Sequence, residues 1–175
     1  WHWHQKTSRK KGIEIPDITV DLDTHSDKPA WVYLTEREVK QLCDNAKPEY
    51  KMLIMFLFDT GIRSPTELVN VRVSDLYNNC KEVNIREEAS KTFGRRIKLM
   101  LCSEMLKEYI QNKQFSSEEY LFPIQPFTTN KYLKRLATRV LGDKKTPAGG
   151  KTSDISMYDF RHISCCYWLP RYKSE

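Results

Sequence analysis

A mainly α-helical fold with a small antiparallel β-sheet, of the α+β class, is predicted by three features of the sequence. The apolar run from Met52 to Phe58 is too short to span a bilayer and reads as a helix buried in a soluble core. Capping signals stand before other helical stretches, at Thr35-Glu36-Arg37-Glu38 and at Ser64-Pro65-Thr66-Glu67. Between Glu82 and Leu99 the helical period gives way to alternation, with Val83 and Ile85 before a Gly-bearing turn and Ile97 and Leu99 after it.

Taken in order, Trp1 to Lys11 is aromatic and then basic, so residues 1–12 are expected to be the remnant of a preceding helix or a basic tail. The chain opens on Trp1 rather than Met, which suggests a piece of something longer. Residues 13–34 read as a linker, with Pro16, Pro29 and scattered Asp17, Asp21, Asp23 and Asp27. Those aspartates lack the spacing and the glycine of a calcium loop. His2 and His4 have no third ligand after them, and neither a metal nor a cofactor is expected.

Residues 35–175 are expected to form one domain. Thr35 caps a helix carrying Val39, Leu42 and Cys43, and Pro48 begins the buried one. Gly61 suits the left-handed conformation that ends it. With Ser64 as N-cap, Pro65 at the first helical position and Glu67 closing the box, a third helix packs Leu68, Val69 and Val71 and stops near Leu76. Tyr77-Asn78-Asn79 is then a turn, followed by the alternating strands. Ser103 is expected to cap a helix carrying Met105, Leu106, Tyr109 and Ile110. After the apolar Tyr120-Leu121-Phe122-Pro123, Thr128 or Thr129 caps a helix to about Leu141. A flexible Lys/Gly/Pro loop leads to a last helix starting near Ser156 and ending before Pro170.

The 175 residues can bury one core. Lys and Arg total 29 against 23 Asp and Glu, a net charge of +6 that favours a polyanionic partner. Five cysteines without C-x-x-C spacing argue against a disulfide scaffold and for a reduced interior. No signal peptide or membrane span is evident, so an intracellular, cytoplasmic protein is expected.

Three stretches carry candidate chemistry. Arg63 follows the Gly61 corner beside an expected helix N-terminus, where a cation gains nothing from the helix unless an anion such as a phosphate is shared. The alternative is an ion pair with Glu67 or Asp59. Lys91 enters the Gly-bearing turn of the hairpin. Tyr158-Asp159-Phe160-Arg161-His162 is a polar-aromatic box with a second arginine. Besides these, Lys131, Lys134, Arg135 and Thr138 share a stripe at helical spacing, with Arg139 adjacent and no acidic residue among them.

An arginine, a hairpin lysine and a box ending Arg-His, in that order, resemble the catalytic domain of tyrosine recombinases, the phage integrase family. The resemblance runs from Thr35 to the C-terminus, and the box is most similar to those of archaeal virus or plasmid integrases. It implies metal-independent cleavage and rejoining of double-stranded DNA through a 3′-phosphotyrosine, by a homo-oligomer (a tetramer) on paired sites. Arg63 and Arg161 would brace the non-bridging oxygens, Lys91 would protonate the leaving 5′ oxygen, and Tyr158 and His162 would assist at the phosphate. Lys131, Lys134, Arg135 and Arg139 would lie in the major groove, and Arg95 and Arg96 would also contact DNA.

The sequence departs from the family pattern in three places. Tyr158 stands where a histidine is usual. Arg63 and Glu67 are one residue further apart than usual. Only fourteen residues follow Arg161, so Tyr167 and Tyr172 lie too close to the box to match the nucleophile, and a C-terminally incomplete, inactive catalytic domain is expected. Alternatives are a non-catalytic DNA-binding protein on the same scaffold, a type IB topoisomerase, and a helical protein with an ordinary basic surface.

Overall fold

The computed structural model describes residues 2–15 and 30–172 and begins with a nine-residue helix, α1 (His2–Lys10). Most of the expected linker, with its four aspartates, lies outside the described residues. The main body starts at residue 30, where Trp31 forms an isolated parallel bridge with Gly149.

Helix α2 (Glu36–Asn45) opens on the expected capping box. Thr35 Oγ1 accepts the Glu38 N–H at 3.3 Å, and Glu38 Oε2 accepts the Thr35 N–H at 2.9 Å. Helix α3 (Pro48–Thr60) is the centre of the core, with Met52, Leu53, Ile54, Phe56, Leu57 and Phe58 all buried. Helices α2 and α6 (Asp159–Tyr172) pack on it, and α5 (Pro126–Leu141) packs on α2. Gly61 ends α3 at φ +56°, as expected. A Cβ on Gly61 would also lie 3.0 Å from Ser164 Oγ of α6, so the corner is packed as well as bent.

The sheet has three antiparallel strands in the order β1 (Leu76–Tyr77), β2 (Glu82–Ile85), β3 (Arg95–Lys98). Strands β2 and β3 are the expected hairpin, paired from Glu82↔Lys98 to Ile85↔Arg95. The extra strand β1 takes in Tyr77, read from the sequence as a turn residue. Asn78, Asn79 and Cys80 all adopt positive φ, so the turn is tight enough to bring Leu76 opposite Val83.

Residues 64–75 differ most from expectation. No α-helix follows Ser64: a turn leads to two short 3₁₀ helices, Leu68–Asn70 and Val73–Asp75. The Ser64 hydroxyl is buried without a hydrogen-bond partner among the described residues rather than capping a helix. Two long-range demands explain this. The Glu67 carboxylate is drawn onto Arg63 and Arg95. Val71 must be extended to accept the Leu121 N–H at 2.8 Å, beside the Arg72↔Tyr120 bridge.

Three helix ends also move. Helix α4 (Ser103–Lys113) has Cys102 rather than Ser103 at its cap position, and the chain leading into it is held from α3. The Asp59 carboxylate accepts the N–H groups of Met100, Leu101 and Cys102 at 3.3, 2.8 and 3.0 Å. Helix α5 begins before Thr128, because Gln125 Oε1 accepts the Thr128 N–H at 2.6 Å and Pro126 fills the first position. Helix α6 starts at Asp159, whose Oδ2 accepts both the N–H and the hydroxyl of Ser156 at 2.9 and 2.7 Å. It runs through Pro170 to Tyr172. The last turn is held from outside the backbone ladder: Trp168 Nε1 donates to the Asp59 carbonyl at 2.9 Å, and Tyr167 packs on Phe58.

Candidate functional site

The Gly61 corner gathers side chains from three parts of the chain. Arg63 follows it directly. Arg161, in the first turn of α6, donates from Nη1 to the Gly61 carbonyl at 2.7 Å. Arg95 at the start of β3 meets Glu67 through two parallel bonds, Nη1 to Oε1 at 2.9 Å and Nη2 to Oε2 at 2.7 Å.

Glu67 organises this corner. Its side chain is fully buried, yet it accepts from the Arg63 N–H at 3.1 Å, Arg63 Nη1 at 3.1 Å, both nitrogens of the Arg95 fork and the Ser90 hydroxyl at 3.2 Å. Burial pushes the carboxyl up, but the bonds from Arg95 and from the backbone and side chain of Arg63 outweigh it and bring it down to about 2. Arg63 therefore forms the ion pair with Glu67 that was weighed as the alternative to phosphate binding. The pairing does not neutralise the corner. Arg63 and Arg95 share the Glu67 carboxylate, Arg161 is held at the same corner by the Gly61 carbonyl, and Arg95, Arg96, Lys98 and Arg161 face the Asp59 carboxylate in the adjoining cleft, so cations outnumber carboxylates there.

Lys91 lies in the loop between β2 and β3 and is exposed. The loop is tied to the corner next door: Arg63 Nη1 donates to Thr92 Oγ1 at 3.3 Å. Arg95, Arg96, Lys98 and Arg161 line a cleft of about 470 Å³ together with Gly61 and Tyr172. Arg96 is more exposed than Arg95; it stacks over the Tyr77 ring at 4.8 Å and approaches Glu82 at 3.8 Å.

Tyr158 is more than half exposed, one residue after Met157, whose N–H bonds to Asn130 of α5 at 2.9 Å. His162 is packed between rings, 5.0 Å from the Trp31 centroid and 5.4 Å from that of Tyr158. The remaining cations sit on α5. Lys131 and Arg135 are exposed, Lys134 lies 3.8 Å from Asp154, and Arg139 Nη2 donates to the Asn45 carbonyl at 3.0 Å. The structure thus joins Arg63, Arg95, Arg161 and the Lys91 loop, and keeps the α5 stripe as a separate surface.

Glu67 and Asp59 were missed as organisers of the site. The signal for Glu67 was present, in its four-residue spacing from Arg63 and in the paired arginines of a neighbouring strand. Asp59 carried no local signal, since its partners lie some forty residues on.

Comparison with known proteins finds solved structures of the same fold. XerA recombinase has a TM-score of 0.64 at 20% identity over 96% of this chain and 59% of its own. The Tn1549 transposon integrase in complex with transposon right end DNA has a TM-score of 0.65 at 17% identity, over 95% of this chain and 62% of its own. The XerH site-specific recombinase bound to its difH substrate has a TM-score of 0.57 at 14% identity, over 85% of this chain and 46% of its own. At these identities the likeness is one of fold, that of the tyrosine recombinase catalytic domain, and the chain spans less than two thirds of each of these structures. No curated protein matches the sequence. The model of the phage integrase family matches residues 32–173, nearly the whole main body, and the chain belongs to that family.

Proposed function

We propose that this chain is the phosphate-gripping part of a site-specific DNA recombinase that cuts and rejoins duplex DNA through a 3′-phosphotyrosine. The observation that carries the reading is the convergence of arginines at the Gly61 corner, with Arg63 and Arg95 held by Glu67, Arg161 held by the Gly61 carbonyl, and cations outnumbering carboxylates in the cleft they border. A phosphodiester has one negative charge, and a second develops on its non-bridging oxygens as a nucleophile adds. Guanidiniums fixed in advance stabilise that change without reorganising.

In the proposed reaction a tyrosine Oη attacks phosphorus, its proton passing to solvent, and the bond to the 5′ oxygen breaks. Lys91 Nζ gives that oxygen its proton. Arg63 and Arg161 hold the two non-bridging oxygens, and the Tyr158 hydroxyl donates a hydrogen bond to one of them. His162 takes a supporting part through its contact with Tyr158. Attack by a 5′ hydroxyl of another strand reverses the step and reseals the backbone. Lys131, Lys134, Arg135 and Arg139 on α5 read the major groove, while Arg95 and Arg96 add positive field. The nucleophilic tyrosine is assigned to sequence beyond these residues, so the chain alone is expected to bind DNA and not cut it. Assembly as a tetramer on paired sites, a place at the nucleoid, and an origin in a viral or archaeal mobile element are parts of the same proposal. Among the described residues, no helix is long and apolar enough to cross a membrane.

The test is covalent trapping on a nicked suicide substrate, comparing this chain with one extended along the native reading frame. An adduct only with the extended protein supports the reading. An adduct with this chain would make Tyr167 or Tyr172 the nucleophile and overturn the assignment beyond it. Salt-sensitive DNA binding without an adduct from either protein would identify a non-catalytic DNA-binding protein.

A further inference from the structure

The loop between β2 and β3 is braced at alternate residues. The Ser90 hydroxyl donates to Glu67 Oε1 at 3.2 Å, and Thr92 Oγ1 accepts from Arg63 at 3.3 Å. Gly94 passes so close to β2 that a Cβ there would lie 3.1 Å from the Ile85 carbonyl. Lys91 and Phe93 are both exposed on this loop. Phe93 is 79% exposed, and Arg95 and Arg96 follow it immediately.

An isolated surface phenylalanine needs no explanation by itself. This one differs because Thr92 before it is bonded to Arg63 and Arg95, two residues after it, is forked onto Glu67, so its place relative to the basic corner is fixed. We infer that Phe93 is an aromatic wedge that stacks against a base step next to the phosphate held by Arg63 and approached by Lys91. The inference rests on the DNA-binding reading above and adds a specificity-determining contact to it. A ring inserted at a step gains most where stacking is easily broken, as at pyrimidine–purine steps, and least in stiff A-tracts.

The experiment measures binding of fluorescein-labelled duplexes of equal length, one carrying TpA steps and one built of A-tracts, across a salt series. Wild type is expected to prefer the TpA duplex. Phe93→Ala should bind it about 5- to 100-fold more weakly, the range for loss of one base–aromatic stack. Its salt slope should be unchanged, because stacking releases no counterions. Phe93→Trp should retain the preference, and Lys91→Ala should flatten the slope without abolishing it. Thermal melting of each variant confirms that the fold is intact. Wild-type affinity and duplex preference in a folded Phe93→Ala protein would overturn the wedge while leaving DNA binding in place. A wild-type protein with no salt-sensitive binding would overturn both.

Discussion

The two-pronged bond between Arg95 and Glu67, at 2.9 and 2.7 Å, fastens the first residue of β3 to the turn that follows Gly61. Because Glu67 also holds the backbone and side chain of Arg63, one carboxylate sets the position of both arginines.

Glu67→Ala should therefore destabilise the protein and misplace Arg63 together. Removing one partner of a fully buried pair costs about 3–5 kcal/mol, but both guanidiniums here are partly hydrated, so about 2 kcal/mol is expected. Urea unfolding of Glu67→Ala, Arg95→Ala and the double variant checks this. The double variant should be less destabilised than the sum of the two single changes.

The same carboxylate sets a pH dependence. Its folded pKa of about 2 lies below its ordinary 4.5, so its contribution is fully present above 4.5. That contribution is lost as pH falls through the folded value. Between those two pH values wild type should lose stability faster than Glu67→Gln, as read by unfolding curves at each pH.

Asp59→Ala should loosen α4 rather than α3. It strips the N–H groups of Met100, Leu101 and Cys102 of their shared acceptor, and that of Cys102 is buried, where an unsatisfied donor costs about 1–3 kcal/mol. Asp59→Asn keeps one acceptor oxygen and should recover part of the loss. Hydrogen exchange at residues 100–106 localises the effect.

On duplex DNA, log affinity should fall with log salt at about −0.9 per phosphate contact. Arg96→Ala should weaken all sequences alike and flatten that slope by about one contact. Arg135→Ala or Arg139→Ala should relax sequence preference. A flat salt response from wild type would remove the DNA-binding reading.

The thiols should divide into two groups. Cys43 and Cys102 are buried, and burial pushes both up, Cys43 to about 12, so they should resist a thiol reagent until the chain unfolds. Cys165 is exposed and lines the basic cleft, and should react in the native protein. Counting modified cysteines by mass before and after urea treatment checks the division.

Features encoded within a few residues were legible in the sequence. The Thr35/Glu38 box, the left-handed Gly61, the buried run of α3 and the alternation of β2 and β3 each depend on neighbours only. The misread features depend on distant ones. Ser64 and Glu67 have the residues of a capping box, yet Arg95 and the Leu121 contact to Val71 claim that segment. Ser103 has the residue type of a cap, yet Cys102 takes that position and Asp59 of another helix holds the chain leading into α4. At the site, the order of Arg63, Lys91 and Arg161 could be read directly. Their mutual arrangement could not, because Glu67, Thr92 and the Gly61 carbonyl hold it across long separations. His162 illustrates the same limit: no local pattern places it against Trp31, 131 residues earlier in the chain.

The Gly61 carbonyl takes its bond from an arginine 100 residues further along the chain. Such a contact closes a very long loop and is expected late in folding, after the local helices and the hairpin have formed. A partly folded or newly emerging chain then has Arg63 without Arg161, and so lacks the paired grip on a phosphate. Placing the two arginines so far apart makes an intact fold a precondition for touching a DNA backbone, which is a useful safeguard in a protein proposed to break one. Pulsed hydrogen exchange during refolding, with α6 protected last, would reveal that order.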